Sequence, residues 1–187
     1  MKTKILLLST LMFLIIGTQA QSQEAAAPKK ILVAYFSHSG NTRAVANQIC
    51  KKVNGEIFEI ATVKAYPANY NTVVEQAKQE QKSDYRPELK SKLKNIKQYD
   101  VIFIGYPNWW STYPQAVKVF LSQYDFSRKT IIPFCTHEGS EFGNSLVDLK
   151  KMCPESTIME GLAIRGSAAH NSGDRIEVWL RQLKLLK

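Results

Sequence analysis

Cysteine is scarce: the chain has three, Cys50, Cys135 and Cys153, and no C-x-x-C pair. The three histidines, His38, His137 and His170, are widely spaced. This usage supports neither a disulfide framework nor a structural zinc site, no metal is expected, and buried thiols are the plainer reading. Neither G-x-x-x-x-G-K-[ST] nor G-x-G-x-x-G occurs, which argues against a triphosphate or dinucleotide loop. Lys90, Lys92, Lys94 and Lys97 are not interleaved with aromatic residues, so a nucleic-acid partner has little support and these lysines read as a solvated face. Repeats and low-complexity tracts are absent. Acidic residues are the scarcer sign, 16 against 25 basic, for a formal charge of +9.

The first residues form a unit of their own. Lys2 and Lys4 precede an apolar run from Ile5 to Leu8 that Leu11 to Ile16 continue, and Thr18-Gln19-Ala20 supplies small residues at an exit. That order describes a secretory signal peptide over residues 1–20. The apolar stretch is short and interrupted against the roughly 20 residues of a membrane span, so no stable span is expected after cleavage. No cysteine follows for lipid attachment and no Arg-Arg pair precedes the apolar core, so export as an unfolded chain to the periplasm or the exterior is expected. Any cofactor is then acquired outside. Residues 21–28 are a polar, alanine-rich tether, and residues 29–187 have the size of one domain. Without Lys2 and Lys4 the charge is +7, a balance that suits anionic partners.

Lys30 to Phe36, "KILVAYF", is a continuous apolar run of strand length, as in a parallel sheet covered on both faces. Asn41 to Val53 reads as a helix, stopped by Asn54-Gly55, and Glu56 to Ile60 as a strand. Asp100 to Gly105 and Thr130 to Cys135 are further strands, the second with an internal proline expected to weaken its pairing. Helices are expected over Pro114 to Tyr124, Gly143 to Met152 and Gly173 to Leu186, and a fifth strand over Thr157 to Leu162. Strands alternating with helices predict an α/β sandwich with a parallel sheet, and right-handed crossovers put helices on both faces. The connection Ala61 to Tyr99 is long enough for a helix at about Thr72 to Lys82, an extended Pro87 region and a short helical stretch. It either shapes a binding site or is padding.

Ligands of open α/β sheets bind outside the carboxyl ends of the strands, and three loops there carry chemistry. Ser37 to Thr42 offers the hydroxyls of Ser37, Ser39 and Thr42, the Asn41 amide, and Gly40 for a close turn, just ahead of a helix. With the helix N-terminus these form a cradle for a terminal monophosphate. Arg43 either adds charge to it or faces solvent. "GYPNWWSTYP", Gly105 to Pro114, places two tryptophans at a strand end, one suited to stacking on a flat ligand while the other packs below. "THEGSEFG", Thr136 to Gly143, offers backbone N–H groups made accessible by Gly139 and Gly143, with Ser140 and His137 near. A phosphate at one loop and a planar ring at the other two describe a mononucleotide with an extended ring.

"SHSGNTRAVA", "YDVIFIGYPNWWSTYPQAVKVFLSQYD" and "KTIIPFCTHEGSEFGNSL", in that order, resemble the flavodoxin-like FMN-binding proteins, from about Lys29 to the end of the chain. The resemblance implies a flavodoxin-like three-layer sandwich with a five-stranded parallel sheet in the order 2-1-3-4-5. That order is taken from the family and not read from the sequence. It implies FMN as cofactor, with Ser37, Ser39, Gly40, Asn41 and Thr42 on its phosphate. Pro107, Asn108, Trp109 and Trp110 would line one side of the ring, and Thr136, His137, Gly139, Ser140 and Gly143 the other. His137 is either a proton donor to the ring or an ordinary loop histidine.

The chain also departs from the family's simple electron carriers. Those are strongly acidic, and this one is basic, so their docking partners are not implied. Pro107 to Trp110 lacks the glycine whose peptide flips beside the reduced ring, so strong stabilisation of a half-reduced flavin is not expected. Tyr66, Pro67 and Tyr70 in the long connection resemble the pocket wall of members linked to NAD(P)H or quinone reduction, although Tyr70 equally suits a core. The expectation is an FMN-dependent oxidoreductase passing electrons or hydride to a small acceptor such as a quinone. The alternatives are a non-enzymatic carrier with a protein redox partner, or a binding module without FMN.

Overall fold

The computed structural model describes residues 29–186; the expected leader and tether, residues 1–28, lie outside the described residues. Parallel strands β1 (Ile31–Tyr35), β2 (Glu56–Glu59), β3 (Val101–Pro107), β4 (Thr130–His137) and β5 (Thr157–Ile158) lie in the order β2-β1-β3-β4-β5. A further strand, β6 (Leu162–Arg165), also pairs with β4 in parallel. The helices are α1 (Asn41–Val53), α2 (Tyr70–Ser83), α3 (Gln115–Ser122), α4 (Ser145–Met152) and α5 (Gly173–Gln182). Short 3₁₀ turns cover Ile96–Gln98 and Gly166–Asn171.

The apolar runs form strands because both faces of the sheet are covered. Along β3, Val101 and Phe103 pack with Val45, Ile49, Ile176 and Leu180 of α1 and α5. Ile102, Ile104 and Tyr106 pack with Val117, Phe120 and Leu149 of α3 and α4 on the opposite side. Period-two alternation thus feeds two cores from one strand. Each fully buried large aliphatic or aromatic side chain contributes about 1.5–3 kcal/mol. Helix α1 turns Val45, Ala46 and Ile49 inward and ends at Asn54, whose left-handed backbone (φ 49°) sends its N–H to Cys50 O. Lys52 bonds Glu177 at 2.7 Å and ties α1 to α5.

The fifth strand differs from the expected Thr157 to Leu162. It is split, with β5 paired at Ile131↔Ile158 and β6 resuming at Phe134↔Leu162. Pro133 explains the gap. Ile131 O accepts Met159 N at 2.9 Å on that side, and Pro133 O also faces it, against Gly161. Proline has no N–H to continue the ladder there, whereas pairing to β3 runs unbroken through Ile104↔Pro133. The proline weakens one edge of its strand and leaves the other intact. The closing helix starts at Gly173 as expected and is shorter only at its end, stopping at Gln182.

At the centre of the sheet, a Cβ on Gly105 would lie 2.0 Å from the Phe134 ring, which is fully buried on the neighbouring strand. Gly105→Ala should therefore destabilise the fold by about 2 kcal/mol through overpacking. Urea denaturation should show a lower midpoint at unchanged m-value.

Candidate functional site

The loop after β1 is arranged around an open helix start. Ser37 Oγ accepts the Gly40 N–H at 3.2 Å, so this hydroxyl shapes the loop itself. Gly40 is the N-cap of α1; no side chain caps the helix and its first turn carries no acidic residue. The unpaired N–H groups of a first turn and the positive end of the helix dipole are thereby left for an anion. Ser39 and Asn41 line the cavity in front of them. Thr42 points inward, 1 % exposed, and its Oγ1 lies 2.8 Å from Thr136 Oγ1. Arg43 turns away to an ion pair with Glu59 at the end of β2.

After β3 the backbone makes a two-residue reversal. Trp109 N donates to Thr112 O at 2.8 Å and Thr112 N to Trp109 O at 3.1 Å, with Trp110 (φ 50°) and Ser111 (φ 65°) between them. Positive φ at both central positions is the type I′ pattern, which ordinarily recruits Asn and Gly. Left-handed backbone costs a residue with a Cβ about 1–2 kcal/mol, so anchors must hold the turn. Trp110 Nε1 donates to Val74 O of α2 at 2.9 Å, Lys78 Nζ sits 5.1 Å from the Trp110 ring centre, and Asn144 N donates to Ser111 O at 2.6 Å. A Cβ on Gly143 (φ 52°) would fall 2.5 Å from Ser111 O, so this glycine is required twice, for its φ and for the approach.

The two tryptophans part company at this turn. Trp109 packs edge-on against Phe36, Tyr66 and His38, with ring centres 5.5, 5.2 and 5.8 Å away. Trp110 lies on α2 and is 46 % exposed. Tyr66 stands behind Trp109, outside the cavity lining, and its hydroxyl donates to Glu80 Oε2 at 2.7 Å. Burial, followed by the Glu80 carboxylate, pushes the Tyr66 phenol well up, so it stays protonated.

In the loop after β4, His137 Nδ1 accepts the Gly139 N–H at 3.0 Å, which leaves the ring proton of the neutral imidazole on Nε2. Asn108 N donates to Thr136 O at 2.8 Å and its Nδ2 donates to Glu141 O. Asn108 Oδ1 is buried without a partner, an acceptor suited to an N–H donor. Cys135, beneath, is pushed up to about 12 by burial and is an inert thiol at neutral pH. Among the described residues, no three His, Cys, Asp or Glu side chains cluster as metal ligands.

These loops enclose a cavity of about 560 Å³. It gathers Ser39, Asn41, Pro107, Asn108, Trp109 and Trp110, and across from them Thr136, His137, Gly139, Ser140 and Tyr70. Ser37, Gly40, Thr42 and Gly143 shape its walls from outside the lining. Sequence reasoning missed the α2 wall, Val73, Val74 and Ala77, although Val73 and Ala77 stand four apart in a helix expected there. It also missed His38, Ser111, Glu138 and Gly166; Gly166 directly follows β6, a strand that the sequence pattern ended at Leu162.

A family model described as Flavodoxin matches residues 30–183. A putative flavoprotein from Bacteroides eggerthii DSM 20697 is 35 % identical with TM-score 0.73, over 82 % of this chain and 97 % of that one. Another from Bacteroides uniformis ATCC 8492 is 32 % identical with TM-score 0.74, over 83 % and 99 %. A flavoprotein in complex with FMN from Lactobacillus acidophilus NCFM shares the fold at 22 % identity and TM-score 0.65, over 80 % and 99 %. No curated protein matches the chain. If Gly143 holds the aromatic turn, Gly143→Ala should cost about 2 kcal/mol. Chemical denaturation should record that loss, and near-ultraviolet circular dichroism should show an altered tryptophan signal.

Proposed function

The chain belongs to the flavodoxin family, and from that premise we propose that it binds FMN and passes electrons or hydride through it to a small acceptor such as a quinone. One observation carries the reading. A single cavity joins an uncapped helix start at one end to a tryptophan wall and an orphaned buried acceptor at the other. The similarity to the Bacteroides putative flavoproteins and to the FMN complex supports it. When bound, the flavin supplies the redox chemistry, and the protein supplies binding, orientation and electrostatics.

The residues divide that work. The first-turn amides of α1, with Ser39 and Asn41, meet the phosphate. Trp109 and Trp110 wall the ring, and Asn108 Oδ1 receives an N–H. His137 offers Nε2–H, and its Nδ1 contact with Gly139 fixes which nitrogen donates. Val73 and Ala77 of α2, the helix on which Trp110 lies, add apolar surface to the lining and exclude water. Tyr70, 75 % exposed at the rim, is a candidate contact for the acceptor.

A second reading, a non-enzymatic carrier serving an exported redox chain, is favoured by the exposure of Trp110 at the mouth. Export rests on the basic, apolar leader of residues 1–20. No helix among the described residues is long and apolar enough to cross a membrane. The formal charge leaves the surface suited to an acidic partner.

Two measurements test the proposal. Riboflavin, which lacks the phosphate, should bind about 10- to 150-fold more weakly than FMN, the worth of charge-assisted hydrogen bonds of about 1.5–3 kcal/mol. Flavin fluorescence titration reads this, and equal affinities would remove the phosphate cradle from the account. Anaerobic reduction of the FMN-loaded protein with NADH, NADPH and dithionite, followed by absorbance, tests the reaction. Reduction by dithionite alone would exclude direct oxidation of pyridine nucleotides, and stepwise one-electron reduction would favour the carrier.

A further inference from the structure

A second cavity, of about 250 Å³, lies behind the aromatic turn. It is bounded by the end of α2, the start of α3 and the end of α4. Tyr113 is 6 % exposed and lines it, yet its hydroxyl makes no hydrogen bond with any described residue. The hydroxyl is not sealed in the protein either, since among the described residues Asn108 Oδ1 alone is a buried side-chain atom left without a partner. The Tyr113 O–H therefore reaches the open space of the cavity. Burial raises the phenol far above its ordinary pKa, with the Asp148 charge adding to the effect, so the group is a standing donor in search of an acceptor.

The surroundings say which acceptor fits. Lys118 and Lys151 flank the cavity. Lys151 is three-quarters exposed and only 3.9 Å from Asp148, a loose contact. Lys118 is held by Asp84 at 2.6 Å. Asp148, the acid in the lining, is engaged by the Thr112 hydroxyl at 2.8 Å. Helix α3 starts here without a side-chain cap, which adds its positive end. Met152, the Tyr113 ring and the lysine stems provide apolar surface beside these donors. A free phenol O–H and a loosely paired ammonium next to an apolar wall suit an anion with a small carbon body.

This place is wired to the larger cavity. Thr112, in its wall, exchanges both backbone hydrogen bonds with Trp109. Gln81, also in its wall, donates to Trp110 O at 3.4 Å. An occupant touching these residues bears on the hydrogen bonds that close the Trp110–Ser111 reversal and on the Gln81 contact with Trp110.

We propose that this second cavity binds a small organic carboxylate, whose occupancy tightens the aromatic turn and raises affinity in the larger cavity. The carboxylate oxygens take the Tyr113 O–H and the Lys151 ammonium, and the carbon body lies along Met152. The coupling rests on the FMN reading, whereas the binding itself does not.

Benzoate is the probe, with uncharged benzamide as control, both at constant ionic strength. Calorimetry on the FMN-free chain should find one benzoate per chain and no benzamide. Tyr113→Phe, which removes a hydroxyl without a partner, and Lys151→Gln should each weaken benzoate at least about tenfold, while FMN affinity without benzoate stays unchanged. In the wild-type protein, saturating benzoate should tighten FMN at least about fivefold, within the usual range of coupled sites. Absence of benzoate binding, equal binding of benzamide, or undiminished binding in Tyr113→Phe would overturn the site. Benzoate bound with FMN affinity unmoved would overturn the coupling. Failure of FMN to bind at all would refute the flavin reading and the coupling together, leaving the calorimetric result to decide the site.

Discussion

The hydrogen bond between Thr42 Oγ1 and Thr136 Oγ1, 2.8 Å long and buried, is the constraint on which the larger cavity depends. It joins the first turn of α1 to the carboxyl end of β4 across the full depth of β3. Without it the open helix start and the His137 loop would be set by separate loops, each free to drift. Removing either hydroxyl would leave the other without its present partner in a place shut off from water, a loss of about 1–3 kcal/mol. Parallel strands deliver the loops to one end of the sheet. This contact fixes the distance between them, and Asn108 N–H on Thr136 O draws the third loop to the same residue. Thr136 is thus the meeting point of all three loops.

Against that rigid end stands a turn under strain. Trp110 and Ser111 both adopt left-handed backbone, which neither side chain favours. The structure offsets the cost from three directions: α2 receives the indole N–H, Asn144 holds the Ser111 carbonyl, and Gly143 leaves room for both. Backbone strain that persists only because its surroundings over-determine it clusters at ligand clamps. The reversal also resolves why two tryptophans stand side by side. Consecutive residues of a continued strand would point to opposite faces of the sheet. The turn instead sends Trp109 into the box of Phe36, Tyr66 and His38, and lays Trp110 across a separate helix.

Much of this was legible in the sequence, for physical reasons that differ by element. Asn41–Val53 was readable to the residue because its apolar spacing and its Asn54-Gly55 stop agree. The three loops were readable because strand ends in a parallel sheet must converge. The split of the fifth strand was not, because a proline's effect depends on which neighbour its missing N–H faces, and that is a property of the sheet. Tyr66 read as a wall residue because Tyr-Pro sits in a long connection. Its partner, Glu80, lies fourteen residues on and across a helix, and no local pattern announces that pairing. The left-handed Trp-Ser turn is the clearest failure: turn chemistry predicts Asn or Gly there, and tertiary anchors override it.

The strain has a mechanical consequence for how the site can respond to a ligand. The sheet and α1 are held by buried apolar contacts on both faces, and Thr136 locks their upper end. Helix α2 buries only Val73 and Ala77 among its apolar side chains and is otherwise tied by polar contacts, through the Trp110 indole, the Gln115 amide on Glu80 O and the Lys118–Asp84 pair. Hydrogen bonds and ion pairs near solvent are each worth less than a buried side chain. Motion at the cavity mouth should therefore be carried by α2 and the aromatic turn, with the phosphate end held still. A ligand entering between them works against α2, which also forms one wall of the second cavity. The two cavities share a movable partition because the fold spends its rigidity on the strand ends.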